Sequence, residues 1–307
     1  MHTQSTSAVL MVRPTSFGFN EQTAQTNTFQ HHLTLDAATV KAQAIAEFDT
    51  MVQKLRDHDI AVTVFEDTDP RPKPDAVFPN NWFSAWPNGD VYLYPMATES
   101  RRIERTSAAL DTLDKSFVVN AVRDISATEL HGENLESTGV MIFDHRNRIV
   151  YGCISPRCDE KLFTKHAQAL GYEPVTFHAF GADGTAVYHT NVMMGITDTT
   201  AVICDEAITD TSEREMVLQK LQATGHDIVS ISQEQMAAFC GNILELSNPA
   251  GEHFVAMSQT AYDAFTPAQR AQLSFDKTLL PCSVPTIETI GGGSVRCMLG
   301  EIFLPRR

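Results

Sequence analysis

Positive charge is scarce in this sequence. Twenty-three Lys and Arg stand against 38 Asp and Glu, a formal net charge of -15 over 307 residues. Such a surface repels phosphate backbones and anionic lipid, so nucleic acid and membrane surfaces are set aside as partners. No targeting segment is expected either: MHTQSTSAVLMVRP has no basic stretch, and its apolar run AVLMV is too brief for a signal peptide or a membrane span. A cytoplasmic location is expected. Cysteine is sparse, with six at positions 153, 158, 204, 240, 282 and 297, which read as reduced thiols rather than a disulfide framework. Cys153 and Cys158 have no second Cys or His pair at zinc-finger spacing, so no metal site is expected. No biased tract interrupts the chain, and residues 1–307 are expected to fold as one domain.

What is present is a recurring hairpin signature. Apolar runs flank a polar turn in WFSAW-PNGD-VYLYPM, VMIFD-HRNR-IVYGCIS, VMMGIT-DTT-AVICDEAI and ILELSN-PAGE-HFVAMSQ, with a single further strand in CMLGEIFLP. The starts, near 81, 139, 191, 242 and 297, are 51 to 58 residues apart, a weak five-fold internal repeat. The fifth unit lacks its second strand and AVLMVRP near the N-terminus lacks a partner; pairing them would close a ring and protect strand edges.

Helical patterns lie between the hairpins. Asp36 precedes an apolar face of Val40, Ala44, Phe48, Val52 and Leu55. Asp210 with Glu213 reads as a capping box before Met216, Leu218 and Leu221, and Thr266-Pro267 as a cap with a first-turn proline. Alternating strands and helices give an α/β class with helices outside a ring of small sheets.

In such a ring the strand starts converge on the axis. At or just before them stand Asp75, Asn80 and Asn81; Glu136; His189 and Asn191; Asn242; and Cys297. A thiol, an imidazole and a carboxylate in equivalent positions suit nucleophilic catalysis: Cys297 attacks, His189 moves protons and Glu136 holds the imidazole. Each residue taken singly reads more simply as core or turn. The shared repeat phase and glycines 291–293, which allow close backbone approach, favour the catalytic reading.

DAVFPNNW (75–82), ESRR (99–102), LESTG (135–139), SPRCD (155–159), YHTNV (188–192) and GGGSVRCM (291–298) resemble the guanidine-modifying, or pentein, superfamily. That resemblance implies a five-bladed, pseudo-fivefold α/β propeller. FNEQTAQTNTFQ (19–30), FPNNW and CGNILEL (240–246) are most similar to its citrulline-utilising hydrolases, citrulline ureidases among them. The resemblance implies a nucleophile at Cys297, an acid/base at His189 and its partner at Glu136. It places Asp75 at the substrate's amino-acid end and Arg101 and Arg157 at the α-carboxylate, with Arg102 adjacent. Relatives that bind guanidines carry acids where this chain has Asn80-Asn81, and deiminases an acid where it has Asn191. Neutral amides match a ureido group, whereas a buried carboxylate needs a cation to offset its desolvation.

The expectation is therefore a cysteine hydrolase converting L-citrulline to ornithine, ammonia and carbon dioxide through an S-carbamoyl enzyme. It needs no metal or cofactor, and its only required partner is an amino-acid substrate. The alternatives are an arginine deiminase, a dimethylarginine dimethylaminohydrolase or an amidinotransferase acting on a guanidino substrate, and a non-catalytic propeller binding protein. Oligomeric state, a homodimer included, stays open. Residues 19–30 read equally as a mobile lid or a fixed connector.

Overall fold

The computed structural model describes residues 3–307. The apolar runs become five three-stranded sheets. In each, the middle strand is antiparallel to one neighbour and parallel to the other. One sheet sets Ala8–Val12 between Gly300–Glu301, antiparallel, and Ala61–Phe65, parallel. The next holds Phe83–Ala85, Asp90–Leu93 and Ala121–Asp124. Then come Ile142–Asp144, Ile149–Cys153 and Glu173–Phe177; Met194–Ile196, Thr200–Ile203 and Asp227–Ser230; and Leu244–Ser247, His253–Ser258 and Thr278–Cys282. The parallel third strand follows a helical crossover, the connection that parallel pairing requires. It leaves little trace in the sequence because its side chains are mostly half-exposed, as in EPVTF and DIVS.

The helices form where caps and apolar stripes coincide. Asp36 accepts hydrogen bonds from the backbone N–H groups of Ala38 and Thr39, opening Ala37–Arg56. That helix buries Val40, Ala44, Phe48, Met51, Val52 and Leu55, each larger side chain contributing about 1.5–3 kcal/mol. Thr266 and Gln269 form a reciprocal capping box. Asp210 caps Thr211–Ala223, but Glu213 bonds His178 instead of completing a box. In the same helix Val217 and Leu221 are the buried residues, and Met216 is exposed.

Each sheet is bonded to the next. Ile302 bridges Ala85, and the Phe303 N–H donates to the Ala85 carbonyl at 3.2 Å. Ser137 Oγ donates to the Phe83 carbonyl at 2.7 Å. Thr190 Oγ1 donates to the Val140 carbonyl at 2.7 Å and accepts from the Cys153 N–H at 2.8 Å. Asn242 Nδ2 donates to the Asn191 carbonyl at 2.9 Å, and the Ser247 N–H to the Thr6 carbonyl at 3.0 Å. The strands begin two or three residues later than expected. Short helical turns precede them, at Pro79–Asn81, Ser137–Val140, Thr190–Met193 and Val295–Met298. Cys297 thus lies in a helical turn, not at a strand start. All six cysteines are buried and unbridged. Among the described residues no helix is long and apolar enough to cross a membrane.

Candidate active site

The entry turns aim polar side chains at a common centre. Glu136, Asn191 and Asn242 are fully buried, and His189 and Cys297 nearly so. Backbone strain lies near two of them: Ser137, next to Glu136, has φ +43°, and Phe239, whose carbonyl accepts from the Asn242 N–H at 2.9 Å, has φ +62°, left-handed values rare for such residues. Cys297, His189, Asp75, Asn81, Arg101 and Arg157 line one small cavity of about 20 Å³, with Tyr188 and Gly291–Gly293. Two larger cavities, of about 380 and 310 Å³, are both lined in part by Phe29 and by neither the thiol nor His189. Reactive groups, not volume, single out the small one.

His189 Nε2 is 2.6 Å from Glu136 Oε2. Burial alone would raise the Glu136 carboxyl, but the Arg157 charge and the His189 hydrogen bond outweigh it and hold it well below the ordinary range. Burial pushes His189 down to about 4, against the raising effect of Glu136. The imidazole is accordingly neutral near pH 7. With an ionised carboxylate at Nε2, that nitrogen carries the proton and Nδ1 keeps its lone pair for chemistry. The Cys297 sulfur is approached by two amides, Asn242 Nδ2 at 3.2 Å and Asn191 Nδ2 at 3.4 Å. Asn242 Oδ1 accepts from the Arg296 N–H at 3.0 Å, which fixes the direction of its amide.

The two arginines behave differently. Arg101 donates to Glu104 through Nε at 2.9 Å and Nη2 at 2.8 Å, to Asn81 Oδ1 through Nη1 at 2.7 Å, and to the Phe78 carbonyl at 3.1 Å. Arg157 meets Glu136 Oε2 at 3.3 Å and Thr26 Oγ1 at 2.8 Å, and its Nε has no partner. Asp75 accepts from Asn20 and Thr23 through Oδ2, leaving Oδ1 unpartnered, and burial raises its carboxyl despite the Arg101 charge.

Residues 20–30 run across this cavity as a tied strap. Asn27 Nδ2 donates to the Gly292 carbonyl at 3.2 Å and Gln30 Nε2 to the Ile290 carbonyl at 3.1 Å, besides the bonds to Asp75 and Arg157. Of the three glycines, only Gly292 needs a left-handed backbone, φ +62°. The other two are required by space: a Cβ on Gly291 or Gly293 would lie 2.7 or 2.9 Å from the Phe78 ring.

The structure brings together eight of the nine expected residues. Asn191 reaches the sulfur and Glu136 backs His189. Asn80 is buried outside the cavity lining; its carbonyl accepts from Thr138 Oγ1 and its amide is unpartnered. Arg102 turns away to the Met96 carbonyl. Not foreseen were Tyr188, whose hydroxyl donates to the Gly292 carbonyl at 2.7 Å, and Glu104. Asn242 had the right repeat phase, but its bond to the sulfur depends on a contact 55 residues away. Among the described residues no group of three or more His, Cys, Asp or Glu could hold a metal ion.

Residues 13–304 match the family model described as N,N dimethylarginine dimethylhydrolase, eukaryotic. No curated protein matches the chain. Among solved structures, the chain is similar to the substrate-bound N-terminal domain of ArgZ, a cyanobacterial arginine dihydrolase of the ornithine-ammonia cycle. The TM-score is 0.75 at 14% identity, covering 97% of this chain and 98% of that one. AgrE bound to L-arginine gives a TM-score of 0.73 at 13% identity over 98% of this chain and 40% of its own. A Pseudomonas aeruginosa DDAH variant complexed with citrulline gives 0.67 at 14% identity over 98% and 99%. At such identities these likenesses carry the fold.

Proposed function

The chain belongs to the N,N dimethylarginine dimethylhydrolase family, within the guanidine-modifying superfamily, and we propose that it hydrolyses a C–N bond at the terminal carbon of an arginine-type amino acid. The observation that carries this reading is the cluster itself: a buried thiol between two amide donors, sharing a small cavity with a neutral imidazole held by an ionised carboxylate. We further infer that the five sheets close around it as a five-bladed propeller.

In the proposed reaction Cys297 gives its proton to His189 Nδ1 as the sulfur bonds to the terminal carbon. One C–N bond then breaks, and the imidazolium returns the proton to the departing nitrogen. Water deprotonated by His189 attacks the same carbon and the C–S bond breaks, restoring the thiol. Asp75 Oδ1 and Arg157 Nε, an acceptor and a donor without partners, suit the substrate's α-ammonium and α-carboxylate. Family membership supports a guanidino substrate, arginine or a methylated arginine, with ammonia or a methylamine departing.

A second reading has a specific observation behind it. The side chains touching the sulfur are Asn191 and Asn242, and the wall beside His189 is Asn81, all uncharged. This lining supports citrulline, from which ornithine departs and leaves an S-carbamoyl enzyme; hydrolysis frees carbamate, which decomposes to ammonia and carbon dioxide. Purified protein is to be incubated with arginine, methylated arginines and citrulline, with ornithine, citrulline and ammonia assayed. Citrulline formed from a guanidino substrate marks the first reading, and ornithine from citrulline the second. C297S should abolish either while keeping the fold; turnover retained in C297S would remove the thiol from the mechanism.

A further inference from the structure

Asn81 has a determined orientation. An arginine side chain only donates hydrogen bonds, so the Asn81 atom 2.7 Å from Arg101 Nη1 is its oxygen, and Nδ2 must face the other way. Arg101 cannot turn to release it. Glu104 grips the guanidinium at two points, and the carbonyls of Asp75 and Phe78 take further N–H groups at 3.3 and 3.1 Å. Asn81 Nδ2 is buried and without a partner, in a residue that lines the cavity with His189 and Cys297. Gly139 marks the same corner: a Cβ there would lie 2.4 Å from Asn81 Nδ2 and 3.2 Å from the His189 ring. On the other side, Asn191 turns Nδ2 to the sulfur, and its Oδ1 is buried and unpartnered.

We infer that Asn81, held by the Arg101–Glu104 pair, presents a fixed hydrogen-bond donor to the substrate's terminal group, so that the site selects a group carrying an acceptor there, the carbonyl oxygen of a ureido amino acid. This rests on the hydrolase reading above and chooses between its two substrate classes. A guanidinium offers only N–H donors and leaves Nδ2 unpaired; a ureido group gives its carbonyl oxygen to Asn81 Nδ2 and an N–H to Asn191 Oδ1. Buried groups left unpaired are what make a hydrogen-bonding site reject the wrong ligand. When the thiol adds to the ureido carbon, charge develops on that oxygen, and a donor already in place stabilises it. Asn81 thereby becomes a specificity-determining residue. Arg101 and Glu104 are positioning residues, and Arg101 is not a carboxylate clamp.

The test compares kcat/KM for citrulline and arginine in the wild type, N81D, N81S and E104Q, with melting temperatures checking the fold. The expected result is a wild-type preference for citrulline that falls by about 100-fold or more in N81D and N81S. In E104Q the same ratio should fall by about 10-fold; a merely structural Glu104 would lower melting temperature and leave the ratio alone. A wild-type preference for arginine, or a ratio unchanged within about threefold in folded N81D and N81S, overturns the inference. Binding of citrulline and arginine to C297S and to C297S carrying N81S, by calorimetry, separates the two levels. Citrulline-selective binding that N81S abolishes upholds the inference even where the wild type turns over neither substrate, an outcome that sinks the hydrolase reading alone. Absence of selective binding in C297S sinks the inference whatever the turnover.

Discussion

Arg101 and Arg157 line one cavity and are both buried, yet their surroundings differ. Arg101 is saturated by a bidentate carboxylate three residues away, two backbone carbonyls and an amide, and burial, which alone would lower it, is outweighed by Glu104 so that it stays charged. Burial in turn raises Glu104 to about 7 in spite of Arg101. Arg157 has one longer carboxylate contact, a bond to the strap residue Thr26, and a free Nε. A guanidinium whose donors are spent builds the wall; one with a donor to spare can receive a ligand. Spacing alone does not make the difference, since Arg157 also has an acid three residues on; that acid, Glu160, is exposed and accepts from Thr176 Oγ1, and Arg157 instead meets Glu136 from 21 residues away.

That borrowed acid is where the contrast should break most visibly. Glu136 serves both His189 and Arg157, so Glu136→Gln removes the acceptor that fixes the imidazole tautomer and leaves Arg157 without its counter-charge. Turnover should fall on the order of 10³- to 10⁴-fold, the scale for loss of a triad carboxylate. Steady-state kinetics of folded protein checks it; a loss under tenfold would reduce Glu136 to a structural acid. Arg101→Ala should act on the fold as well as releasing the Asn81 amide. It strands Glu104 in the interior, and breaking a buried pair from one side costs about 3–5 kcal/mol, read from urea unfolding.

Arg157→Lys sharpens the comparison from the ligand's side. A lysine keeps the charge beside Glu136 but loses the planar donor set, so KM should rise about 10- to 100-fold with kcat nearly kept. Arg101→Lys should leave KM closer to wild type. The reverse order would exchange the two roles.

These roles explain what could be read from the chain in advance. The hairpins, the helix stripe from Val40 to Leu55, and the phase that unites Glu136, His189, Asn191 and Cys297 follow from local patterns, because period and turn chemistry are local properties. The outer parallel strands were hidden because half-exposed EPVTF and DIVS carry no strong alternation. Asn80 and Asn81 are neighbours with the same turn chemistry, but only Asn81 lines the cavity, a difference set by the Pro79–Asn81 turn. Glu104 gave no signal in ESRRIE, where any acid could have been solvated. Its role appears only once burial denies it water.

The smallest effect should come from pH, through the imidazole that Arg157 shares Glu136 with. Burial sets both His189 and His166 near 4, so both are neutral at pH 7 and bind protons more readily when unfolded. Their contribution to stability is therefore present above about 6.5, the ordinary histidine value, and is lost as pH falls through that value towards 4. Catalysis should not follow this contribution down at first. With Glu136 ionised throughout and His189 still a base, activity per folded molecule should change by less than about twofold between pH 7 and 5. An activity limb centred near 6.5 would mean that the imidazole behaves as if in water, and that the Arg157–Glu136 contact does not belong to the closed catalytic corner that sets it apart from Arg101–Glu104.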